Sequence, residues 1–177
     1  KATGEVGICF VTRGPGATNA SIGVHTAFQD STPMILFVGQ VGGDMVDREA
    51  FQEIDYRRMF GQMTKWVAQI DRVERIPEYV ARAFQVASSG RPGPVVLALP
   101  EDMLVEKVRI EDSERAKRVT HQPSMQNMQE VRSLLELSER PLVILGGGGC
   151  SESAGRQIEM FAEKNYLQVG GWFRRQE

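Results

Sequence analysis

Cysteine and net charge are both scarce in this chain. Only Cys9 and Cys150 occur among 177 residues, and each lies in an apolar or glycine-rich segment. This usage is typical of buried, reduced thiols rather than of a disulfide, and it predicts a cytoplasmic protein. A formal net charge of −2 provides no electrostatic basis for binding nucleic acid or an anionic membrane surface. We therefore expect neither as a partner.

Long apolar runs and metal-ligand clusters are also missing. No apolar run approaches the roughly 20 residues that a membrane-spanning helix requires. The two histidines, His25 and His121, have no His, Cys or carboxylate partner at ligand spacing, so we expect no metal site in this chain. Because the sequence starts at Lys1 rather than at methionine, the presence of a targeting segment upstream stays open.

The apolar pattern that is present alternates between strands and helices. Strands are predicted at residues 5–12, 34–39, 64–69 and 95–99, several of them apolar on both faces. Helices are predicted at residues 17–29, where Thr18 or Asn19 could cap the start, and at 74–88, which Gly90 ends. This alternation predicts an α/β fold in which helices flank a parallel sheet.

The alternation of predicted strands and helices stops after residue 102. Residues 103–126 are rich in charge and are predicted to be an interdomain linker. Two further helices and two strands then predict the start of a second, Rossmann-like α/β domain over residues 127–177. Two strands bury too little to stand alone, and the first predicted strand lacks a neighbour upstream. We therefore expect a fragment of a longer protein, with residues 1–102 ending its first domain.

Two glycine-proline loops provide the strongest functional signal. Residues 13–19 read Arg-Gly-Pro-Gly-Ala-Thr-Asn and join a predicted strand to a helix, whereas residues 89–94 read Ser-Gly-Arg-Pro-Gly-Pro and lead into a strand. A strand, a tight turn and a helix N-terminus together bring backbone N–H groups up to a ligand. The loops therefore predict a ligand-binding α/β domain.

The two loops are part of a longer series of motifs. In chain order the series is Gly14-Pro15-Gly16-Ala17-Thr18-Asn19, Asp30-Ser31-Thr32-Pro33, Gly39-Gln40-Val41, Glu49-Ala50-Phe51-Gln52-Glu53 and Ser89-Gly90-Arg91-Pro92-Gly93-Pro94. This series resembles the acetolactate synthase (large catalytic subunit) branch of the thiamine-diphosphate-dependent enzymes. The resemblance is specific over residues 2–102 and looser from residue 125 onward. It implies that residues 1–102 are the C-terminal part of a pyrimidine-binding domain.

The resemblance implies an activity and its cofactors. The expected cofactors are thiamine diphosphate, Mg²⁺ bound mainly by a domain outside this chain, and FAD where the middle domain retains a working site. The implied reaction decarboxylates a 2-oxo acid such as pyruvate and joins the product to a second carbonyl, as in branched-chain amino acid biosynthesis. Because such sites lie between subunits, a homodimer or tetramer is implied. The activating glutamate would precede Lys1, so we expect this chain alone to be inactive.

The first loop matches positions beside the cofactor's aminopyrimidine. Pro15 and Asn19 match residues that line this ring, and Gly14 and Gly16 shape the loop around it. An asparagine amide both donates and accepts hydrogen bonds, which suits an aminopyrimidine edge. The alternative is that Pro15 only shapes the turn and Asn19 only caps the helix.

Three other positions carry implied roles. Phe51 and Gln52 match a pair that reaches the reaction centre, where an aromatic ring excludes water and an amide positions an oxygen. Arg91 matches a position that contacts FAD, since a guanidinium can stack on a flat ring. The alternatives are ordinary packing of Phe51 beside a surface Gln52, and a solvated Arg91. Gln40 is a weaker candidate at the end of its strand.

Two residues depart from the family pattern. Arg13 stands where a serine or another small residue is usual, and it either alters substrate choice or faces solvent. Glu101 stands where lysine is usual in a Pro-Lys-Asp run, which puts specificity for pyruvate in doubt. The glycine run at residues 146–149 follows a predicted strand, and we interpret it as structural before nucleotide-binding.

Other functions stay open on these motifs. Within the same superfamily the alternatives are another carboligase or lyase and a sulfoacetaldehyde acetyltransferase. Outside it, the chain could be part of a non-catalytic flavin- or nucleotide-binding module, or of an assembly subunit that lacks the activating glutamate. Affinity for FAD without a requirement for thiamine diphosphate would separate the flavin module from the enzymes.

Overall fold

The structure consists of two units, each with its own parallel sheet. The computed structural model describes residues 3, 5–114, 116, 117, 119, 122–146 and 151–171. The chain divides into compact units over residues 1–120 and 121–177. Over these described residues, the sheet of the first unit has four strands and that of the second has two. The predicted α/β class, with helices flanking parallel strands, is confirmed.

The first unit alternates strands and helices. Its elements are β1 Gly7–Val11, α1 Gly14–Gln29, β2 Met34–Gln40, α2 Tyr56–Phe60, β3 Trp66–Gln69, α3 Ile76–Ser88, β4 Pro94–Pro100 and α4 Glu101–Val105. The strands lie in the order β1-β2-β4-β3, and every neighbouring pair is parallel. The carboxyl ends of all four strands therefore lie at one edge of the sheet.

The central strands β2 and β4 are buried on both faces. Ile35 and Leu97 face the side where Ala83 and Ala87 of α3 pack. Their neighbours along the strands face the other side, against α1 and α2. Because successive side chains of a strand point to opposite faces, each central strand supplies both layers of the core. This explains why these two runs are apolar at nearly every position.

The strand β1 lies at an open edge of the sheet. It pairs with β2 alone among the described strands, and Phe10 stacks on Phe37 of that neighbour with ring centroids 4.5 Å apart. Phe10 is nevertheless 68% exposed. Cys9 is an exposed, free thiol, so the prediction that it is buried was wrong. Edge position is the reason, since no second strand or helix among the described residues covers it.

Two predicted boundaries also differ from the structure. The helix α1 begins at Gly14, three residues earlier than predicted, because Pro15 is well suited to a first helical turn. Thr18 therefore lies inside the helix, where its hydroxyl donates to the Gly14 carbonyl over 2.8 Å, and neither Thr18 nor Asn19 caps the start. The first residues of the predicted linker belong to helix α4 instead, and Met103 of this helix is buried in the core. No helix or strand follows over residues 106–114.

The second unit repeats the strand and helix alternation on a smaller scale. Its elements are α5 Met125–Leu137, β5 Leu142–Leu145, α6 Glu152–Lys164 and β6 Gln168–Gly171. Ser124 forms a capping box with Asn127, and Ser151 caps α6 by accepting from the Ala154 N–H. Among the apolar side chains described in this unit, only Ala162 is buried. Most of the predicted glycine run, Gly147–Gly149, lies outside the described residues, as do Cys150 and His121.

None of the described helices is long and apolar enough to cross a bilayer.

The core assignment makes a stability prediction. Leu97 is fully buried in β4, whereas Leu104 in α4 is mostly exposed. Leu97→Ala should lower the free energy of unfolding by about 2–5 kcal/mol, because the vacated volume between the sheet and α3 cannot fully collapse. The control Leu104→Ala should change it by about 0.5 kcal/mol or less. Urea denaturation of the two variants measures both values, and equal effects would contradict this description of the core.

Candidate functional site

Three loops meet at the carboxyl edge of the first sheet. Arg13 and the start of α1 follow β1, residues 41–55 follow β2, and Glu101 begins α4 directly after β4. In open parallel sheets this edge is where ligands bind. The edge therefore contains most of the residues that the motifs single out.

A backbone hydrogen bond joins the first two loops. The Gly14 N–H, at the start of α1, donates to the Gln52 carbonyl over 3.1 Å. A Cβ at Gly14 would lie 3.0 Å from that oxygen and 3.3 Å from Ile54 Cδ1, so a side chain there would force the loops apart. Gly14 is thus required for the contact between the two loops that the motifs predict to be functional.

Gly16 has a different reason to be glycine. A Cβ at this position would lie 3.0 Å from both Thr12 Cγ2 and Val11 Cβ. The residue allows α1 to pack closely on the strand from which it emerges. The cofactor-binding role expected for Gly16 stays a prediction, and its packing role is independent of any ligand.

The loop after β2 has an unusual backbone. Asp47, Glu49 and Gln52 adopt left-handed angles, with φ values of 61°, 55° and 67°. Such angles are unfavourable for residues with a side chain and persist where the surroundings enforce them. Here the Glu53 carboxylate accepts from the Asp47 N–H over 2.9 Å and from the Ala50 N–H over 3.3 Å. The loop is closed on itself by these bonds.

Gln40 and Tyr56 fasten this loop to the sheet. The Gln40 side chain is buried, donating to the Ile54 carbonyl over 2.9 Å and accepting from the Val41 N–H over 3.0 Å. The Tyr56 hydroxyl donates to the Gly39 carbonyl over 3.0 Å. The sequence motifs made Gln40 only a weak candidate and gave no indication of Tyr56. A hydrogen bond from a side chain to a backbone group that is distant in sequence leaves no local pattern.

The next residue after Glu101 also holds the loop. Asp102 accepts from the Gly43 N–H over 2.9 Å, and so ties the start of α4 to the segment that follows β2. Together with the Gly14 contact, this bond connects all three loops at the edge.

The candidate cofactor contacts lie on the outer face of α1. Pro15 and Asn19 are four residues apart, which places them on the same side of the helix, and both are exposed. The Asn19 amide makes no hydrogen bond to any described residue, so its donor and its acceptor are both free. An apolar proline ring beside an amide that can donate and accept fits the edge of an aminopyrimidine.

The pair Phe51 and Gln52 occupies the loop between β2 and α2. Phe51 is 79% exposed, and Gln52 is half-buried beside the start of α1. The structure therefore brings the Gln52 backbone next to Gly14, at the start of α1. Ordinary packing of Phe51 in the interior of this unit is excluded by its exposure.

Arg91 lies at the opposite edge of the sheet. It precedes β4, and its guanidinium donates to the Ser31 hydroxyl over 2.7 Å and to the Gln29 carbonyl over 3.1 Å. These contacts tie the second glycine-proline loop to the C-terminal end of α1, where a cation is favourable. The structure does not bring Arg91 to the other candidates, and its contact with FAD stays a prediction.

The two residues that depart from the family pattern contact each other. Arg13 Nη1 lies 3.4 Å from Glu101 Oε2. The Arg13 stem passes over Gly39, where a Cβ would lie 3.5 Å from its Cγ. Burial raises the pKa of Tyr56, and the nearby Arg13 charge partly offsets this rise. The edge thus carries a neutral tyrosine beside a paired cation.

Two cavities in this unit flank the site rather than contain it. A cleft of about 320 Å³ is lined by the outer part of the loop, by β3 and by polar groups that include Glu53, Tyr56 and Asp71. A larger groove of about 800 Å³ runs between β1 and α3 and is mainly apolar. Neither cavity is lined by Pro15 or Asn19.

The first third of the chain matches a known protein family. Residues 1–59 match the family described as thiamine pyrophosphate enzyme, N-terminal TPP binding domain, thiamine pyrophosphate being another name for thiamine diphosphate. The chain is 38% identical over 173 residues to a probable acetolactate synthase large subunit of Methanocaldococcus jannaschii, covering 92% of this chain and 29% of that protein.

Two bacterial relatives show the same coverage. The acetolactate synthase large subunit of Lactococcus lactis is 36% identical, over 96% of this chain and 30% of its own length. That of Parasynechococcus marenigrum is 40% identical, over 96% of this chain and 28% of its own length. The chain thus spans a little under a third of the length of the curated relatives that it matches.

The two glycines of α1 offer a matched test of the loop contact. Gly14→Ala should lower the free energy of unfolding by about 1–3 kcal/mol, because its Cβ collides with the Gln52 backbone. Gly23 lies in the same helix, and a Cβ there would meet no atom within 4 Å, so Gly23→Ala should raise stability by about 0.5–1 kcal/mol. Urea denaturation of both variants shows whether each change raises or lowers the free energy of unfolding. An increase for Gly14→Ala would show that the loop does not pack closely against α1.

The raised pKa of Tyr56 predicts a pH dependence. The Tyr56 hydroxyl loses its proton near pH 10 in the unfolded chain and at a higher pH in the folded chain. The contribution of Tyr56 to the free energy of unfolding is therefore complete below about pH 10 and is lost as the pH rises through the folded pKa. Tyr56→Phe should remove this alkaline loss, whereas Tyr166→Phe, at an exposed position, should leave it unchanged. Arg13→Met should raise the Tyr56 pKa further, as followed by ultraviolet absorbance.

Proposed function

We propose that this chain, which corresponds to a segment of a thiamine-diphosphate enzyme of the acetolactate synthase type, forms the pyrimidine-side wall of that enzyme's active site. The observation that supports the proposal best is the hydrogen bond from the Gly14 N–H to the Gln52 carbonyl. It holds the loop that carries Phe51 and Gln52 against the start of the helix that presents Pro15 and Asn19. On this proposal, residues far apart in the chain contribute to one surface.

Each of these side chains has a role that follows from its exposure and chemistry. Asn19 binds the aminopyrimidine edge through its free amide, and Pro15 packs on the ring. Gln52 orients a substrate oxygen from a backbone conformation fixed by its surroundings, and Phe51 closes over the reacting groups and excludes water. Thiamine diphosphate, when bound, supplies the electron sink for the carbanion.

The proposed reaction joins two carbonyl compounds. A 2-oxo acid such as pyruvate is decarboxylated, and the resulting carbanion equivalent adds to the carbonyl carbon of a second substrate. We propose further that the whole protein works in the cytoplasm as a homodimer or tetramer, with Mg²⁺ held mainly by residues outside this chain. FAD is the least supported cofactor, because the Arg91 donors already bind the end of α1.

A second candidate function differs in the substrates. The acid at Glu101, where lysine is usual in the resembling family, favours a carboligase, lyase or sulfoacetaldehyde acetyltransferase that uses the same cofactor. Product analysis with a panel of 2-oxo acids, aldehydes and sulfoacetaldehyde separates these activities, since each forms a different carbon skeleton.

The roles of Asn19 and Gln52 are separable in the full-length protein. Asn19→Ala should weaken thiamine diphosphate binding about tenfold, as expected from the loss of one hydrogen bond to the bound cofactor, with a smaller effect on kcat. Gln52→Asn should lower kcat about 10- to 100-fold and leave cofactor affinity unchanged. Asparagine is chosen because it tolerates the left-handed backbone at this position.

A matched control is available in α3. Gln85→Asn makes the same chemical change at an exposed position outside the site, and it should leave both quantities at their wild-type values. Cofactor titration and pyruvate consumption are measured on all variants. Wild-type kinetics for both Asn19→Ala and Gln52→Asn would refute the proposed wall.

A further inference from the structure

A tight turn presents the pair Phe51 and Gln52. The Glu53 N–H donates to the Ala50 carbonyl over 3.0 Å, so the two candidate residues are the central residues of a four-residue turn. Gln52, the third residue of this turn, has a φ of 67°. Glycine or asparagine is usual at a left-handed third position, because most other side chains are strained there. The turn therefore needs support from outside its own backbone.

The Glu53 side chain supplies this support. One carboxylate oxygen returns to the start of the turn and accepts from the Ala50 N–H over 3.3 Å, and the other accepts from the Asp47 N–H over 2.9 Å. Ala50 is thus bound to Glu53 through both its N–H and its carbonyl. The segment that these bonds close, residues 47–53, contains the three left-handed residues of the loop.

Both oxygens of the Glu53 carboxylate bind the backbone of the loop. No ion pair between two described residues includes Glu53, so its carboxylate interacts with N–H groups rather than with a cation. A carboxylate suits two N–H donors, because each of its oxygens accepts hydrogen bonds. An amide of the same shape would keep one acceptor and place an NH₂ donor against the second N–H. The turn therefore requires an acid at this position.

The same turn is also bound from the side of α1. The Gln52 carbonyl accepts from the Gly14 N–H over 3.1 Å. The backbone of the turn is thus held by Glu53 from its own loop and by Gly14 from the start of the helix. Phe51 is 79% exposed, and the Gln52 side-chain amide makes no hydrogen bond to a described residue. The backbone is fixed while both side chains stay available to a ligand.

We propose that Glu53 is a positioning residue, which places Phe51 and Gln52 at the reacting groups by closing the turn that carries them. This inference rests on the proposed function and deepens it. An amide that orients a substrate oxygen has to be held in place before the substrate binds, because a displacement of about 1 Å can cost about 100-fold in rate. Glu53 acts through the turn and not on the substrate, since both of its oxygens bind the loop.

A double-mutant cycle in the full-length protein tests the proposal. With thiamine diphosphate, Mg²⁺ and pyruvate, Glu53→Gln should lower kcat about tenfold and leave the affinity for thiamine diphosphate unchanged, because Pro15 and Asn19 are not part of the turn. In a Gln52→Asn background the same change should lower kcat by less than about twofold, since Glu53 acts through Gln52. A role in overall stability alone would lower kcat by the same factor in both backgrounds.

Hydrogen exchange provides a readout that does not depend on activity. Glu53→Gln should increase the exchange rate of the amides of residues 47, 50 and 53 about tenfold, with the core strands unchanged. Glu49→Gln is the matched control, because it makes the same chemical change in the same loop. Glu49 is exposed, and no hydrogen bond or ion pair joins its carboxylate to another described residue. This control should keep wild-type kcat and exchange rates.

Four results would overturn the inference. They are a wild-type kcat in Glu53→Gln, an equal loss of kcat in Glu49→Gln, a loss of the same size in the Gln52→Asn background, and unchanged amide exchange in Glu53→Gln. If the wild-type protein with thiamine diphosphate and Mg²⁺ consumes no 2-oxo acid, the proposed function itself fails. The exchange rates then decide by themselves whether Glu53 holds the turn.

Discussion

Burial of β2 and β4 on both faces is the constraint on which the rest of this structure depends. Two central strands without a solvated face must be covered by helices on each side, and parallel connections supply those helices. All strands then end at the same edge, so the loops after β1, β2 and β4 converge. The candidate site is a consequence of this convergence, because its residues come from three separate parts of the chain.

The loop after β2 illustrates how local strain is maintained by contacts elsewhere. Three residues with left-handed backbone angles are unfavourable in isolation, and the chain offsets this cost through Gln40, Glu53 and the Gly14 contact. These bonds tie the loop both to itself and to the sheet. The result is a loop whose backbone is held in place by polar contacts, while Phe51 extends outward from it.

The charges at this edge are arranged in the same manner. Burial raises the pKa of Tyr56, and the nearby Arg13 charge partly offsets this rise. Arg13 is in turn partnered by Glu101 across the intervening strand. Each of these groups is therefore positioned by another element of the fold, and the edge combines a fixed cation with an exposed amide and an aromatic ring.

The apolar pattern of the sequence by itself determined the α/β class, the order of the elements and the two glycine-proline loops, because each depends on residues close together in the chain. The motif resemblance also singled out residues 14–19 and 49–53, whose loops meet at one edge, together with residues 89–94, which lie at the other. Only the tertiary structure decided that Cys9 is exposed, that Arg91 lies at the opposite edge and that Arg13 pairs with Glu101. Strand order and the partners of long side chains arise from packing between distant segments, and no local pattern encodes them.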